Sequence, residues 1–174
     1  MHISFLADHP EFIPVLAPEI LEHWRHALAE ETIEIREAKL RQHMNKIELP
    51  LALVAHTERE VLGTAALRAT ELEGYEHLSP WLGGVFVRRP YRGRGIASVL
   101  SSAIEQHAWA LGHNEMYLFT PDQQRLYSRL GWSKLESTTW HGISSDIMVK
   151  ARVQRAQGTG VDILANEIGS GTFR

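Results

Sequence analysis

At 174 residues with 44% hydrophobic composition, the chain is long enough for one sizeable core and short for two. A formal net charge of −3 gives no electrostatic reason to expect nucleic acid or an anionic membrane as the main partner, so any basic site must be local. With no cysteine, disulfides, thiolate metal sites and cysteine nucleophiles are excluded, and the fold must stand on packing. Met1 to Asp8 lacks the basic start and apolar run of a secretory leader, and no window approaches about eighteen uninterrupted apolar residues. A soluble, cytoplasmic protein is expected.

His2 to Leu6 reads as a short first strand. Pro10, Pro14 and Pro18 then break up a helical region that settles between Glu19 and Ala29, where Leu21, Trp24 and Leu28 share a face. A second helix is predicted from Thr32 to about Asn45, with Ile33, Arg36 or Glu37, and Leu40 at helical spacing. Leu51 to His56 and Val61 to Ala69 read as an antiparallel hairpin around the polar turn at 57–60. An acidic loop from Glu71 to Pro80 leads into a strand from Trp81 to Arg88. The pair Gly83-Gly84 weakens that strand, so a bulge, a close backbone approach, or both are expected there.

Ile96, Val99, Leu100, Ala103, Ile104, Ala108 and Leu111 trace one helix face, with Gly112 as the stop. Met116 to Phe119 is a short apolar strand. Thr120-Pro121-Asp122-Gln123 has capping-box form with proline at the first helical position, and the short helix it opens should run to Leu130, stopped by Gly131. Trp132 to Trp140 and Ile143 to Lys150 form a second hairpin around His141-Gly142. Beyond Lys150 glycines interrupt the pattern, although Val161 to Leu164 could pair as a strand. One domain over 1–150 is therefore expected, followed by an extension over 151–174 that is either flexible or pairs in a homodimer.

Chemistry concentrates where the strand ending in Val85-Phe86-Val87 passes through Arg92-Gly93-Arg94-Gly95 onto the helix at Ile96-Ala97-Ser98. Glycines let a ligand approach the backbone, and the free N–H groups and positive dipole end of a helix attract phosphate oxygens. The loop lacks the Gly-Lys-Ser/Thr ending of a P-loop, and Ser98 stands where a dinucleotide fingerprint needs glycine or alanine. It does match the pattern Arg/Gln-x-x-Gly-x-Gly/Ala, as Arg92 to Ala97. Together with Trp81-Leu82-Gly83-Gly84-Val85-Phe86-Val87 upstream and Tyr127-Ser128-Arg129-Leu130-Gly131-Trp132 downstream, this order resembles the GNAT superfamily of N-acetyltransferases over roughly Leu51 to Lys150.

The resemblance implies an α/β (α+β) fold: a mixed, mostly antiparallel sheet of about six or seven strands, helices on both faces, splayed in the middle. It implies acetyl-CoA as co-substrate, with the pantetheine arm along Val85, Phe86 and Val87 and the pyrophosphate on Arg92, Gly93, Arg94, Gly95, Ile96, Ala97 and Ser98. Tyr127 matches the family's usual general acid, and Thr120 stands near where many relatives carry an asparagine. The implied reaction is direct acetyl transfer to an amine; the alternative is an acyl-CoA sensor or scaffold without turnover. Glu71, Glu73, Glu76 and His77 are the candidate general bases, none singled out. The acidic and aromatic content of the N-terminal helices and the 71–80 loop suggests a small, cationic amine. His23 and His26 share a helical face without an H-E-x-x-H motif, and no metal is expected.

Overall fold

The computed structural model describes residues 1–153. Its seven strands are β1 (His2–Phe5), β2 (Leu51–His56), β3 (Val61–Arg68), β4 (Trp81–Val87), β5 (Glu115–Thr120), β6 (Ser133–Trp140) and β7 (Ile143–Ala151). They form one sheet in the order β1-β2-β3-β4-β5-β7-β6. Every pairing is antiparallel except β4 with β5, which is parallel. This is the mixed, mostly antiparallel sheet that the sequence predicts.

Four helices, α1 (Ile13–His23), α2 (Ile33–Gln42), α3 (Ile96–Ala110) and α4 (Gln124–Arg129), cover both faces. All six residues of β2 are buried, because alternate side chains point to opposite faces and each face has a cover. Leu51, Leu53 and Ala55 pack with Leu100, Ile104 and Ala108 of α3, while Ala52 and Val54 pack with Leu16, Ala17 and Ile20 of α1. No helix among the described residues is long and apolar enough to cross a membrane.

The largest departures from expectation are in the helices. The first helix starts at Ile13 rather than Glu19 and ends at His23 rather than Ala29. Pro14 sits in the first turn, where its missing N–H costs nothing, and the buried stripe Ile13, Leu16, Ala17 and Ile20 carries the helix through Pro18. Thr32 caps α2, its Oγ1 accepting from the Ile35 N–H at 3.3 Å, but Ile33 is 46% exposed and Leu40 alone is buried. Thr120 Oγ1 does accept the Gln123 N–H at 3.0 Å, yet residues 121–123 form a turn and α4 begins only at Gln124. The expected strand at Val161 to Leu164 lies outside the described residues.

Gly63 sets the contact between β3 and β4. A Cβ there would lie 2.5 Å from the Phe86 carbonyl oxygen and 3.2 Å from the Val87 Cα, both backbone atoms with no freedom to yield. Gly63→Ala is expected to lower stability by about 1–3 kcal/mol, as overpacking does. Urea unfolding measures this, and a midpoint equal to wild type would show that the two strands can separate freely.

Candidate active site

The sheet opens between β4 and β5. Their ladder contains one pair, Trp81 with Tyr117, beside a Tyr117 N–H bond to the Pro80 carbonyl at 2.9 Å. Beyond it the strands diverge, and among the described residues the β5-facing edge of Leu82 to Val87 has no strand partner. On the other edge, Thr64 pairs with Phe86 and Ala66 with Gly83, so Gly84 and Val85 together oppose Ala65. This is the expected bulge, and Gly84 adopts φ 57° within it. The close approach is also present, but it comes from side chains. A Cβ on Gly83 would lie 2.6 Å from a Glu71 carboxylate oxygen, and one on Gly84 would lie 2.9 Å from Arg68 Nη2.

The opening is a cleft of about 330 Å³ whose lining includes Gly83, Gly84, Val85, Leu118, Thr120 and Tyr127. Val85 and Val87 pack on the α3 side of the sheet. Phe86 turns to the α1 side, with ring centroids 5.5 Å from His23 and 5.9 Å from Trp24. At the end of β4 the chain makes a short turn over Arg89–Tyr91 and enters α3 through Gly95, at φ 76° with no side-chain cap. The first intrahelical bond runs from the Val99 N–H to the Gly95 carbonyl at 3.1 Å, leaving the N–H groups of Ile96, Ala97 and Ser98 without acceptors inside the helix. A Cβ at Gly93 or Gly95 would meet nothing within 4 Å, so the loop is open to a ligand. Arg92 donates from Nε to the Val87 carbonyl at 2.9 Å and lies 5.8 Å over the Phe86 ring, tying the loop to β4. Arg94 lies 5.6 Å over Tyr91.

Tyr127 is 7% exposed, and burial pushes its hydroxyl up to about 12. The nearby Ser101 hydroxyl works weakly in the other direction, although it makes no hydrogen bond of acceptable geometry among the described residues. The backbone fixes the ring through the end of α4. The Trp132 N–H donates to the Tyr127 carbonyl at 3.0 Å and the Gly131 N–H to Ser128 at 3.1 Å, with Gly131 at φ 87°. This is a Schellman closure, and its usual apolar contact is the edge-on pair of Tyr127 and Trp132 at 6.2 Å. Trp132 Nε1 in turn donates to Glu105 of α3 at 2.9 Å.

Of the four candidate bases, only Glu71 lines the cleft; Glu73, Glu76 and His77 are exposed on the loop. Both Glu71 oxygens accept from Arg68 Nη1, at 2.7 and 2.6 Å. Arg68 Nε donates to His43 Nε2 at 2.8 Å, and His43 Nδ1 donates to the Lys39 carbonyl at 2.7 Å. Burial, then the Arg68 charge, holds His43 at about 4. The unfolded chain takes up this proton near 6.5 and the folded chain only near 4, so acid favours unfolding between those values. Stability should fall by on the order of 3 kcal/mol as pH drops through that window. In His43→Gln, which can still accept from Arg68 but does not titrate, urea midpoints at neutral pH and at about pH 4.5 should converge relative to wild type. An equal acid loss in the variant would assign the effect elsewhere.

Arg36, Arg68, His43, Phe119 and Trp140 border this site or the groove beside it, and sequence reasoning placed none of them there. Arg68 ends a strand and Arg36 lies within a helix, and the tertiary packing of α2 on α1 beside the sheet joins them. His23 turns to Phe86 and Arg92, and His26 to Trp140. Among the described residues, no group of three or more His, Asp or Glu side chains could hold a metal ion.

The family model described as Acetyltransferase (GNAT) family matches residues 18–132. The chain belongs to the GNAT acetyltransferase family. As a GNAT acetyltransferase it uses acetyl-CoA as co-substrate, and the open β4 edge and the unpaired helix start fit that group. No curated protein matches the sequence significantly. Solved structures with the same fold include an aminoglycoside 6'-N-acetyltransferase complexed with coenzyme A, at 16% identity and TM-score 0.72, covering 89% of this chain and 99% of that one. The aminoglycoside 6'-N-acetyltransferase from Enterococcus faecium matches at 17% identity and TM-score 0.68 over the same shares. The acetyltransferase yncA from Salmonella typhimurium, solved with acetyl-CoA, matches at 16% and 0.66, covering 89% of this chain and 95% of that one.

Proposed function

We propose that this GNAT protein is an N-acetyltransferase that moves the acetyl group directly to the amine of a small acceptor. The observation that carries the reading is one cleft lined by a strand edge without a partner among the described residues and by a buried phenol, with an uncapped helix start further along the chain from that same strand. The backbone of Val85, Phe86 and Val87 would hold the pantetheine arm. Arg92, Gly93, Arg94, Gly95, Ile96, Ala97 and Ser98 would hold the pyrophosphate, through helix-start N–H groups and loop charge.

Bound acetyl-CoA supplies an activated acyl thioester. The acceptor nitrogen arrives as an ammonium, loses one proton to water and attacks the carbonyl carbon; a C–N bond forms and the C–S bond breaks. Tyr127 gives its proton to the departing sulfur and recovers one from the acetylated nitrogen through water, so one proton is released per turnover. Structures of the same fold are named for acetylating aminoglycosides and a ribosomal protein alike, so the small acceptor rests on the modest volume of the cleft, about 330 Å³. The test is to incubate the full chain with acetyl-CoA and a panel of small amines, following free thiol and the gain of one acetyl mass on the amine. Amine-dependent release of thiol is expected. Binding of acetyl-CoA with no release for any amine would sink the transferase reading in favour of a sensor.

A further inference from the structure

The cleft continues into a groove of about 770 Å³ beside α2, and the two share Arg36, Arg68, Glu71, Phe119 and Trp140. An acceptor must reach Tyr127 through this space, so its charges set the acceptor class. The acids are largely engaged already. Glu31 accepts from both Arg36 and Lys39, and Glu71 from Arg68. Glu30 and Asp122 are exposed at the margins. A polycationic amine would need several acids at this surface, and Glu31 and Glu71 each already carry a cation, which leaves room for one further ammonium rather than many.

The donors stand differently. Arg36 Nε is buried and makes no hydrogen bond among the described residues. Arg68 spends Nε on His43 and Nη1 on Glu71, which leaves Nη2 over Gly84 at the cleft. His43 lies against Arg68 and also feels the Arg36 charge, so the two guanidinium groups share one corner. A neutral His43 adds no competing cation there. Guanidinium N–H groups at a partly dehydrated surface are suited to receive a carboxylate. Glu71, bonded directly to Arg68, keeps a further lone pair on its oxygens for one ammonium. Trp24, Phe119 and Trp140 supply an apolar wall.

We infer that the acceptor is a zwitterion, an α-amino-acid-like molecule with an apolar body, whose carboxylate is received by Arg36 and Arg68 and whose ammonium is received by Glu71. The Arg68–Glu71 pair then presents to the substrate the inverse of the substrate's own charges. This inference rests on the N-acetyltransferase reading and refines the small, cationic amine expected from the sequence: the positive end remains, and a negative end is added beside it.

The test compares L-leucine and L-phenylalanine with their carboxylate-free counterparts, isoamylamine and phenethylamine, and with kanamycin, in thiol release by the full chain. The amino acids should exceed their counterparts in kcat/KM by about tenfold or more, the value of a charged hydrogen bond. In Arg36→Met that ratio should fall by about tenfold, while calorimetry shows acetyl-CoA binding retained, which certifies the fold. Better turnover of the carboxylate-free amines or of kanamycin would overturn the zwitterion alone. So would an unchanged ratio in Arg36→Met, which would leave Arg36 Nε serving only a water in the void of about 30 Å³ that it lines with His43 and Arg68. Acetyl-CoA binding without thiol release for every amine would overturn the transferase reading and this inference together.

Discussion

Tyr127→Phe is expected to lower kcat by about 10²–10⁴-fold, the range for loss of a positioned proton donor, while acetyl-CoA affinity is unchanged. The variant keeps the ring, and with it the edge-on contact to Trp132 and the backbone closure of α4, so the change is confined to one hydroxyl. Burial raises that hydroxyl to about 12, which keeps it a donor at neutral pH. A thiolate in water, with a pKa of about 8.5, would be too weak a base to take a proton from it. The same apolar surroundings that raise the phenol also raise a thiolate leaving into them, which brings the two back towards a match. The pH profile follows in sign. The active form is the protonated one, so the wild-type rate should hold its alkaline plateau towards pH 12, rather than turn down at about 10 as an ordinary phenol would. Unchanged turnover in Tyr127→Phe would remove the donor assignment. Loss of acetyl-CoA binding together with turnover would give Tyr127 a structural role instead.

The parts of this site that are legible in the sequence are those that local chain geometry determines. Gly95 followed by the stripe Ile96, Leu100, Ile104 and Ala108 announces a helix start, and the structure places an uncapped one there. Tyr127 to Trp132 announces itself for a reason that the structure supplies: it is a Schellman closure in which Tyr127 and Trp132 are the two apolar partners. Gly83-Gly84 signals a bulge, but not what lies against it. Arg68 and Glu71 do, and no local rule brings them there. Arg36 and His43 reach the site because α2 docks on α1, with Leu40, the one buried residue of α2, in the core that α1 and the sheet share. The prolines misled for the same kind of reason. The burial of Ile13 and Leu16 against the sheet overrides the weak helical start that Pro14 and Pro18 suggest.

Lys150→Met is expected to cost about 3–5 kcal/mol of stability, because it leaves a buried carboxylate without its cation. Glu105 is 6% exposed on α3, accepts from Lys150 Nζ at 2.6 Å and from Trp132 Nε1 at 2.9 Å, and so joins β7 to the residue that packs on Tyr127. The same Nζ donates to the Leu130 carbonyl at 2.6 Å, which satisfies an acceptor at the C-terminal end of α4. Urea unfolding of the full chain measures the loss. Adding Glu105→Gln to Lys150→Met should recover part of it, since the charge that needed a partner is then gone, although the Leu130 carbonyl remains short of its donor. A single variant within about 1 kcal/mol of wild type, the value of an exposed pair, would show that water reaches Glu105 freely. The expected loss would instead make the Lys150–Glu105–Trp132 chain the support on which the proton donor stands, so that in the Lys150→Met protein kcat falls more than acetyl-CoA affinity does.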